Sequence, residues 1–178
     1  MSPKDKSHKH KADDVVEATA PEAETVAQTN VEFVLQRIYV RDLSFEAPNS
    51  PQVFLEAWQP AVELEVQNQA NELGDGNYDV MMKLKVTAKL NDKVAYLVEV
   101  QQAGIFTIKN ASPEQMKGIM GALCPTILFP YAREAVSNIV THGGFPQLLL
   151  APINFDALFL EQMHRDQAAA TPPSETIN

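Results

Sequence analysis

The chain has 178 residues, 45% of them hydrophobic, which is enough to bury one sizeable core in a single domain. Its 23 acidic and 14 basic residues give a formal net charge of −9. Such a chain repels a phosphate backbone, and no basic stripe with interleaved aromatic residues offsets the repulsion. We therefore expect no nucleic-acid partner, whereas a basic or amphiphilic protein would be attracted to this surface.

Cysteine usage and hydropathy indicate a cytosolic protein. Cys124 is the only cysteine, so no disulfide can form within one chain, as is typical of a reducing compartment. Residues 1–11 are rich in Lys and His and have no apolar signal region. No run of about 18 apolar residues occurs, so we expect no membrane insertion.

The two ends of the sequence differ from the middle in composition. Residues 1–30 contain a Lys/His cluster followed by Asp, Glu, Ala and Thr, without an aromatic residue. Such a segment cannot offset its ordering entropy by burial, which predicts a disordered N-terminal extension. Residues 167–178, which include Pro172 and Pro173, are predicted to form a flexible tail. The folded domain is therefore expected to span residues 31–166.

The first predicted strand covers residues 34–45, which are rich in β-forming residues. With the period of two that strands follow, Asp42 and Glu46 share one face of this strand. Leu43 and Phe45 point to the other face. The strand therefore has a charged face and an apolar face over its second half.

Three further strands follow after turn-rich segments. The second strand alternates apolar with polar residues, and its dry face is predicted to contain Val62, Leu64 and Val66. Residues 80–88 alternate in the same way, and Asn91 with Asp92 predicts a turn into a returning strand over residues 94–108. Because both faces of that last strand carry apolar residues, its outer face is expected to form an interface.

After residue 110 the apolar period becomes helical. Ser112, a proline and Gln115 follow the order of an N-cap, a first helical residue and a capping-box partner, so a helix should begin there. Pro125 and Pro130 disfavour helical geometry at the residues before them. They predict a break or kink in residues 123–130.

Two more features complete the predicted fold. An apolar stripe from Ala132 to Val140 ends before Gly143, and Asn154 fits the cap of a last helix. Four strands followed by helices predict an α+β fold, with a four-stranded antiparallel sheet covered on one face by helices.

The sequence contains no recognisable catalytic, nucleotide-binding or metal-binding motif. It has neither a phosphate-binding loop nor a Gly-x-Gly-x-x-Gly segment, so we expect no nucleotide cofactor. Its four histidines and one cysteine do not have zinc-ligand spacing, so no metal is expected. A thiol hydrolase that uses Cys124 with His142 is a remote alternative, because only the two residue types support it. No catalytic residue is predicted.

Several long segments stand in a distinctive order. They are QRIYVRDLSFEAPN (36–49), WQP (58–60), EVQQAGIF (99–106), CPTILFPYARE (124–134), FPQ (145–147) and APINFDALF (151–159). In these segments, and with few gaps from about residue 33 to 159, the chain resembles the SecB protein-export chaperones. The N-terminal extension of roughly 20 residues departs from the family; it is either an additional binding arm or, as we favour, a passive tail.

The resemblance implies an ATP-independent cytosolic chaperone. Such a holdase binds unfolded precursor proteins through hydrophobic grooves, keeps them competent for translocation and delivers them to the SecA motor. The resemblance also implies a homotetramer built as a dimer of dimers. The alternative within the same family is a SecB-like chaperone dedicated to one partner, such as an antitoxin.

The resemblance also implies three sets of functional positions. An acidic patch on the outer sheet face receives the basic, zinc-bearing C-terminal tail of SecA, with the zinc belonging to SecA; its positions are Asp42, Glu46, Leu97 and Glu99. The expected client-binding residues, which could instead fill the core, are Trp58, Val62, Leu64, Val66, Phe155 and Leu158. The strand at the interface between dimers carries Val98, Val100 and Gln102.

Overall fold

The structure is a computed structural model that describes residues 30–170, with side chains as far as residue 167. The predicted N-terminal extension lies outside the described residues, except for Asn30. The predicted C-terminal tail begins within the last helix, and its residues 171–178 also lie outside the described part.

Four long antiparallel strands form a single sheet. In chain order they are β1 (Glu32–Glu46), β2 (Ala61–Gly74), β3 (Asn77–Leu90) and β4 (Lys93–Lys109). Their order across the sheet is β1-β4-β3-β2, so β4 and β3 are central and β1 and β2 are the two edges. The predicted strands are confirmed; β4 extends one residue beyond its predicted range at each end, and β2 continues well past Val66, to Gly74.

Tight turns join the last three strands. Asn91 and Asp92 both have positive φ, 49° and 63°, which is the geometry of a two-residue hairpin turn that matches the twist of the strands. Gly76 has φ 74°, and a Cβ at this position would lie 3.1 Å from the carbonyl oxygen of Ile108. Glycine therefore serves both the conformation and the close approach at the β2–β3 turn.

The helical half follows the sheet. It consists of α1 (Pro113–Gly118), a π-helical segment (Ile119–Leu123), α2 (Cys124–His142) and α3 (Phe155–Ala170). The predicted capping box is present: the backbone N–H of Gln115 donates to Ser112 Oγ at 3.2 Å, and the backbone N–H of Ser112 donates to Gln115 Oε1 at 2.8 Å. The predicted cap of α3 is also present, because the N–H of Ala157 donates to Asn154 Oδ1 at 3.0 Å.

The predicted break in residues 123–130 is not found. Helical structure continues from Cys124 to His142 with Pro130 inside α2, and the irregularity is the π-helical segment before it. Pro125 has no N–H to donate to Gly121, and its ring crowds that carbonyl. A wider π turn at this position relieves the crowding while keeping the chain helical.

One face of the sheet carries the helices, and we call it the inner face; the opposite face is the outer face. The inner side chains of β3 and β4 and the apolar stripe of α2 are fully buried against each other, including Ala132, Val136 and Val140. The predicted α+β fold with helices on one face is confirmed. Because α2 lies mainly over β4, the inner faces of both edge strands remain partly uncovered.

Candidate functional site

The inner face of β2 carries an apolar strip that is open to solvent. This β2 strip consists of Val62, Leu64 and Val66. Their cross-strand partners on β3 are fully buried, whereas Val62 and Leu64 keep 41% and 37% of their surface exposed and Val66 is half-buried. Because β2 is an edge strand and α2 lies mainly over β4, the dry face of β2 is only partly covered.

Trp58 lies beside the start of β2 in an aromatic cluster. Its ring is 6.2 Å from that of Tyr96 and 5.3 Å from that of Phe145, and the ring of Phe54 is 4.9 Å from that of Phe145. Trp58 is half-buried and Phe54 is exposed. Ring stacking therefore holds the proline-rich loop at residues 47–60 on the sheet while part of its aromatic surface faces outward.

Phe155 and Leu158 lie in a different neighbourhood. Phe155 is buried, with its ring 5.7 Å from that of Phe129 in an edge-on contact, whereas Leu158 is 48% exposed. Helix α3 packs mainly on the π-helical segment, not on β2. The structure thus places Trp58, packed on Tyr96, on the same face of the sheet as the β2 strip, and the two α3 residues at another part of the helical layer.

A second apolar surface was missed by the sequence analysis. A groove of about 640 Å³ opens beside α3, and its lining includes Val31, Phe33, Ile119, Leu123, Phe159 and Leu160. These residues come from the start of β1 and the residue before it, the π-helical segment and α3, which are far apart in the sequence. Little in the sequence signals this groove, because Leu158 and Leu160, the exposed leucines on either side of Phe159, are ordinary on a helix.

The outer face brings the four predicted docking residues together. Glu46 is opposite Leu97 in the β1–β4 register, and Asp42 is opposite Gln101, two positions along β4 from Glu99. Opposed residues in a paired register point to the same side of the sheet, so all four share the outer face. Asp42 and Glu46 are exposed and form no ion pair within the described residues.

A β-bulge determines which way Asp42 points. Arg41 is the extra residue between the paired positions Val40 and Asp42. Its guanidinium donates to the carboxylate of Asp79 on β3 and, at 3.0 Å, to the hydroxyl of Tyr39, while that hydroxyl donates to Asp79 Oδ1 at 2.8 Å. Hydrogen bonds with Tyr39 and then Asp79 raise the pKa of Arg41.

Three ion pairs cross the other half of the outer face. Lys83 Nζ lies 2.6 Å from Glu99 Oε1 on β4. The lysines further along β3 pair with β2: Lys85 Nζ is 3.3 Å from Glu65 Oε1, and the Lys89 amino group is 2.8 Å from the nearest carboxylate oxygen of Glu63. The charge on the β3–β2 half is therefore largely balanced internally.

The residues predicted at the interface between dimers are buried within the chain. Val98 and Val100 are fully buried under α2, and Gln102 Nε2 donates to the carbonyl oxygen of Tyr39 at 2.8 Å. Their neighbours on β1 are open: Leu43, opposite Val100, is 41% exposed, and Val40, opposite Gln102, is 47% exposed. The solvent-exposed surface next to these buried residues is therefore the inner face of the edge strand β1.

Cys124 has the properties of a core residue. Its thiol is fully buried, and desolvation by burial raises its pKa to about 12. A nucleophilic cysteine needs a lowered pKa and access to substrate. His142 is exposed at the other end of the same helix, and 18 residues at the α-helical rise place it roughly 27 Å away. The structure therefore does not bring the two residues of the hydrolase alternative together.

Residues 30–170 contain neither a metal-binding cluster nor a membrane-spanning helix. No cluster of three or more His, Cys, Asp or Glu side chains there is placed to hold a metal ion. None of the helices in that range has the length and hydropathy of a membrane span. Open apolar surfaces on one side of the sheet and a charged surface on the other are features of a protein that binds other polypeptides.

Known proteins identify the family. Residues 26–166 match the family model described as preprotein translocase subunit SecB. The chain is 52% identical over 143 residues to the protein-export protein SecB of Marinobacter nauticus, covering 80% of this chain and 87% of that protein. It is 50% identical over 147 residues to the protein of the same name from Stutzerimonas stutzeri, covering 83% and 90%. This protein belongs to the SecB family.

A solved structure shares the fold. The SecB-like chaperone Rv1957 of Mycobacterium tuberculosis, in complex with a ChAD peptide from an antitoxin, superposes with a TM-score of 0.58 at 13% identity. The match covers 68% of this chain and 90% of that one. At this identity the similarity concerns the arrangement of strands and helices only.

Proposed function

We propose that this protein is a cytosolic export chaperone of the Sec pathway. It binds unfolded precursor proteins without ATP, keeps them competent for translocation and delivers them to SecA. Family membership and relatives of about 50% identity that are named protein-export protein SecB support this function. They also favour a general export role over the role of a chaperone dedicated to one antitoxin. The dedicated role is supported only by a distant similarity of fold.

The observation that carries the proposal is the uncovered β2 strip. An edge strand with an open apolar face offers an extended polypeptide both unpaired backbone groups and an apolar surface. Full burial of one apolar side chain contributes roughly 1.5–3 kcal/mol, so one partial contact is weak. Trp58 and the β2 strip are proposed to make the direct contacts, with Leu158 as a separate exposed contact and Phe155 anchoring α3.

Several weak contacts need several copies of the site. We propose the homotetramer, a dimer of dimers, in which one long client reaches more than one β2 strip. Later contacts are then intramolecular and raise avidity, by about 10²–10⁴-fold for well-matched linkers. The exposed inner face of β1, beside Val98, Val100 and Gln102, supports self-association on that side of the sheet.

The outer face is proposed to bind SecA. The basic, zinc-bearing C-terminal tail of SecA would contact Asp42, Glu46 and Glu99, with Leu97 as the apolar contact at the centre. A negative surface steers a positive partner, and the attraction weakens as salt increases. Asp42→Lys is therefore expected to weaken SecA binding while client holding is unchanged.

The test is a refolding assay. A chemically unfolded precursor is diluted with and without this protein in the absence of ATP, and both folding and aggregation are followed beside the native mass of the chaperone. We expect delayed folding, suppressed aggregation and the mass of a tetramer. A monomer that leaves folding and aggregation at their spontaneous rates would contradict the proposal.

A matched pair of variants tests the β2 strip itself. Leu64→Ser is expected to raise the chaperone concentration needed for half-suppression by about threefold to tenfold, because each client chain loses a repeated apolar contact. Leu73→Ser removes another exposed leucine of the same strand, at its far end beside the turn, and is the control. Equal effects of the two substitutions would exclude the β2 strip as the client site.

A further inference from the structure

One carboxylate of the outer face already forms an ion pair within the free protein. Glu99 lies among the four proposed SecA-docking residues, yet its carboxylate is 2.6 Å from Lys83 Nζ on the adjacent strand. Asp42 and Glu46 form no such pair within the described residues. The docking surface therefore presents two free carboxylates and one that is neutralised by the protein's own cation.

The pairing is specific in its geometry. In the β3–β4 register Glu99 is directly opposite Lys85, and Lys83 is opposite Gln101. Lys85 nevertheless pairs with Glu65 on β2, and Lys83 reaches diagonally to Glu99. The two lysines thus divide two carboxylates between them, one on each neighbouring strand.

The Lys83–Glu99 pair is also the more enclosed of the two. The side chains of Lys83 and Glu99 are 30% and 24% exposed, whereas those of Lys85 and Glu65 are 38% and 57% exposed. A cleft of about 150 Å³ lies at this point, lined by both pairs and Gln67. A cation that enters from solvent must therefore compete with Lys83 for the Glu99 carboxylate.

We propose that Lys83 is an intramolecular competitor that holds Glu99 in the free protein and must be displaced when a basic partner docks. The inference rests on the proposed docking of SecA to the outer face. Lys83 thereby lowers the affinity of the acidic patch and raises its selectivity. A partner gains from Glu99 only when its own cation is positioned better than Lys83, whereas loosely held cations find that carboxylate occupied.

The test measures binding of a zinc-loaded synthetic peptide of the basic SecA tail to the full chain at low salt. Lys83→Gln is expected to tighten binding by about two- to fivefold, the range expected from releasing a partly exposed ion pair. Lys85→Gln is the matched control, because it removes the same charge from the same strand and face but releases Glu65 on β2. Its effect is expected to be less than half that of Lys83→Gln.

A double-mutant cycle separates local competition from the general field of the protein. In a Glu99→Gln background the tightening by Lys83→Gln should fall to that of Lys85→Gln, since the general loss of one positive charge remains but no carboxylate is left to release. Equal effects of Lys83→Gln and Lys85→Gln, or a Lys83→Gln tightening that is undiminished without Glu99, would overturn the competitor role and leave docking intact. A wild-type protein that does not bind the peptide at all would instead refute the proposed SecA docking.

Discussion

Leu64 on β2 and Val86 on β3 lie directly opposite each other on the same face of the same sheet. Leu64 is 37% exposed, whereas Val86 is fully buried. Both side chains are aliphatic, but Val86 lies on a central strand within the core and Leu64 lies on the edge strand. Position at the sheet edge, not residue type, therefore decides whether an apolar residue serves the core or remains available to a partner.

The central strands and the β2 strip also differ in how much they stabilise the folded chain. Burial of the β3 and β4 side chains under α2 removes apolar surface from water when the chain folds, and so stabilises the fold. The β2 strip gains little of this stabilisation, because much of its surface is still hydrated in the folded chain. Its unused apolar surface can contribute free energy when a client binds.

The largest effect that tests this contrast is a charge placed at each position. Val86→Asp puts a carboxylate into the apolar layer beneath α2, where desolvation is uncompensated. We expect it to lower the free energy of unfolding by more than about 4 kcal/mol, enough to unfold many domains. Leu64→Asp should leave a folded protein and change this free energy by less than about 1 kcal/mol, because water can solvate the charge.

Urea unfolding followed by circular dichroism measures both values, and native mass shows whether assembly persists. Leu64→Asp should also abolish much of the aggregation suppression while the protein stays folded. If Leu64→Asp unfolded the protein as Val86→Asp does, the β2 strip would belong to a core formed within the assembly, and the comparison between edge and centre would fail.

A smaller effect is expected from a second cross-strand pair, on the outer face. Asp79 of β3 is buried and bonded to Arg41 and Tyr39, whereas Asn71, opposite it on β2, is exposed. Asp79→Ala leaves the guanidinium and the hydroxyl without their acceptor, and should lower the free energy of unfolding by about 1–3 kcal/mol. Asn71→Ala is expected to change it by no more than about 0.5 kcal/mol.

The Asp79 variant also tests the role of the bulge. Loss of the Arg41 contact should loosen β1 around Asp42, which is measurable as faster amide hydrogen exchange in β1 relative to β4. If Asp79→Ala and Asn71→Ala unfolded at the same denaturant concentration, the hydrogen-bonded cluster would have no stabilising role.

Much of the fold could be predicted because periodicity is a local property. The period of two placed Asp42 and Glu46 on one face and Leu43 and Phe45 on the other, and the register confirms this grouping. The capping box at Ser112 was also readable, because its two hydrogen bonds join residues three apart.

What the sequence could not show is which part of a face is covered. The alternation of β2 is like that of β3, and nothing in it tells that α2 stops short of the edge. The groove beside α3 was hidden for a related reason, since its walls come from three separate segments. The π-helical segment was missed because rules for proline predict that a helix is disturbed, not that it adjusts one turn earlier.

The smallest effect concerns Cys124, on the helix that creates the contrast between edge and centre. Burial raises its pKa from 9.0 to about 12, so above pH 9 the unfolded chain loses this proton while the folded chain retains it. The unfolded state then binds fewer protons, and the free energy of unfolding falls as pH rises from 9 toward 12. The expected loss is about 1 kcal/mol between pH 9 and pH 10.

Cys124→Ala provides the control, because it keeps all other titrating groups and lacks this thiol. The difference between wild type and variant in urea unfolding at pH 7, 9 and 10 isolates the contribution of Cys124 from those of lysines and tyrosines. The variant should suppress aggregation as well as the wild type does, since the thiol faces the core and not the client. A constant difference across this pH range, or rapid alkylation of the folded protein at pH 8, would mean that α2 does not seal the centre of the sheet.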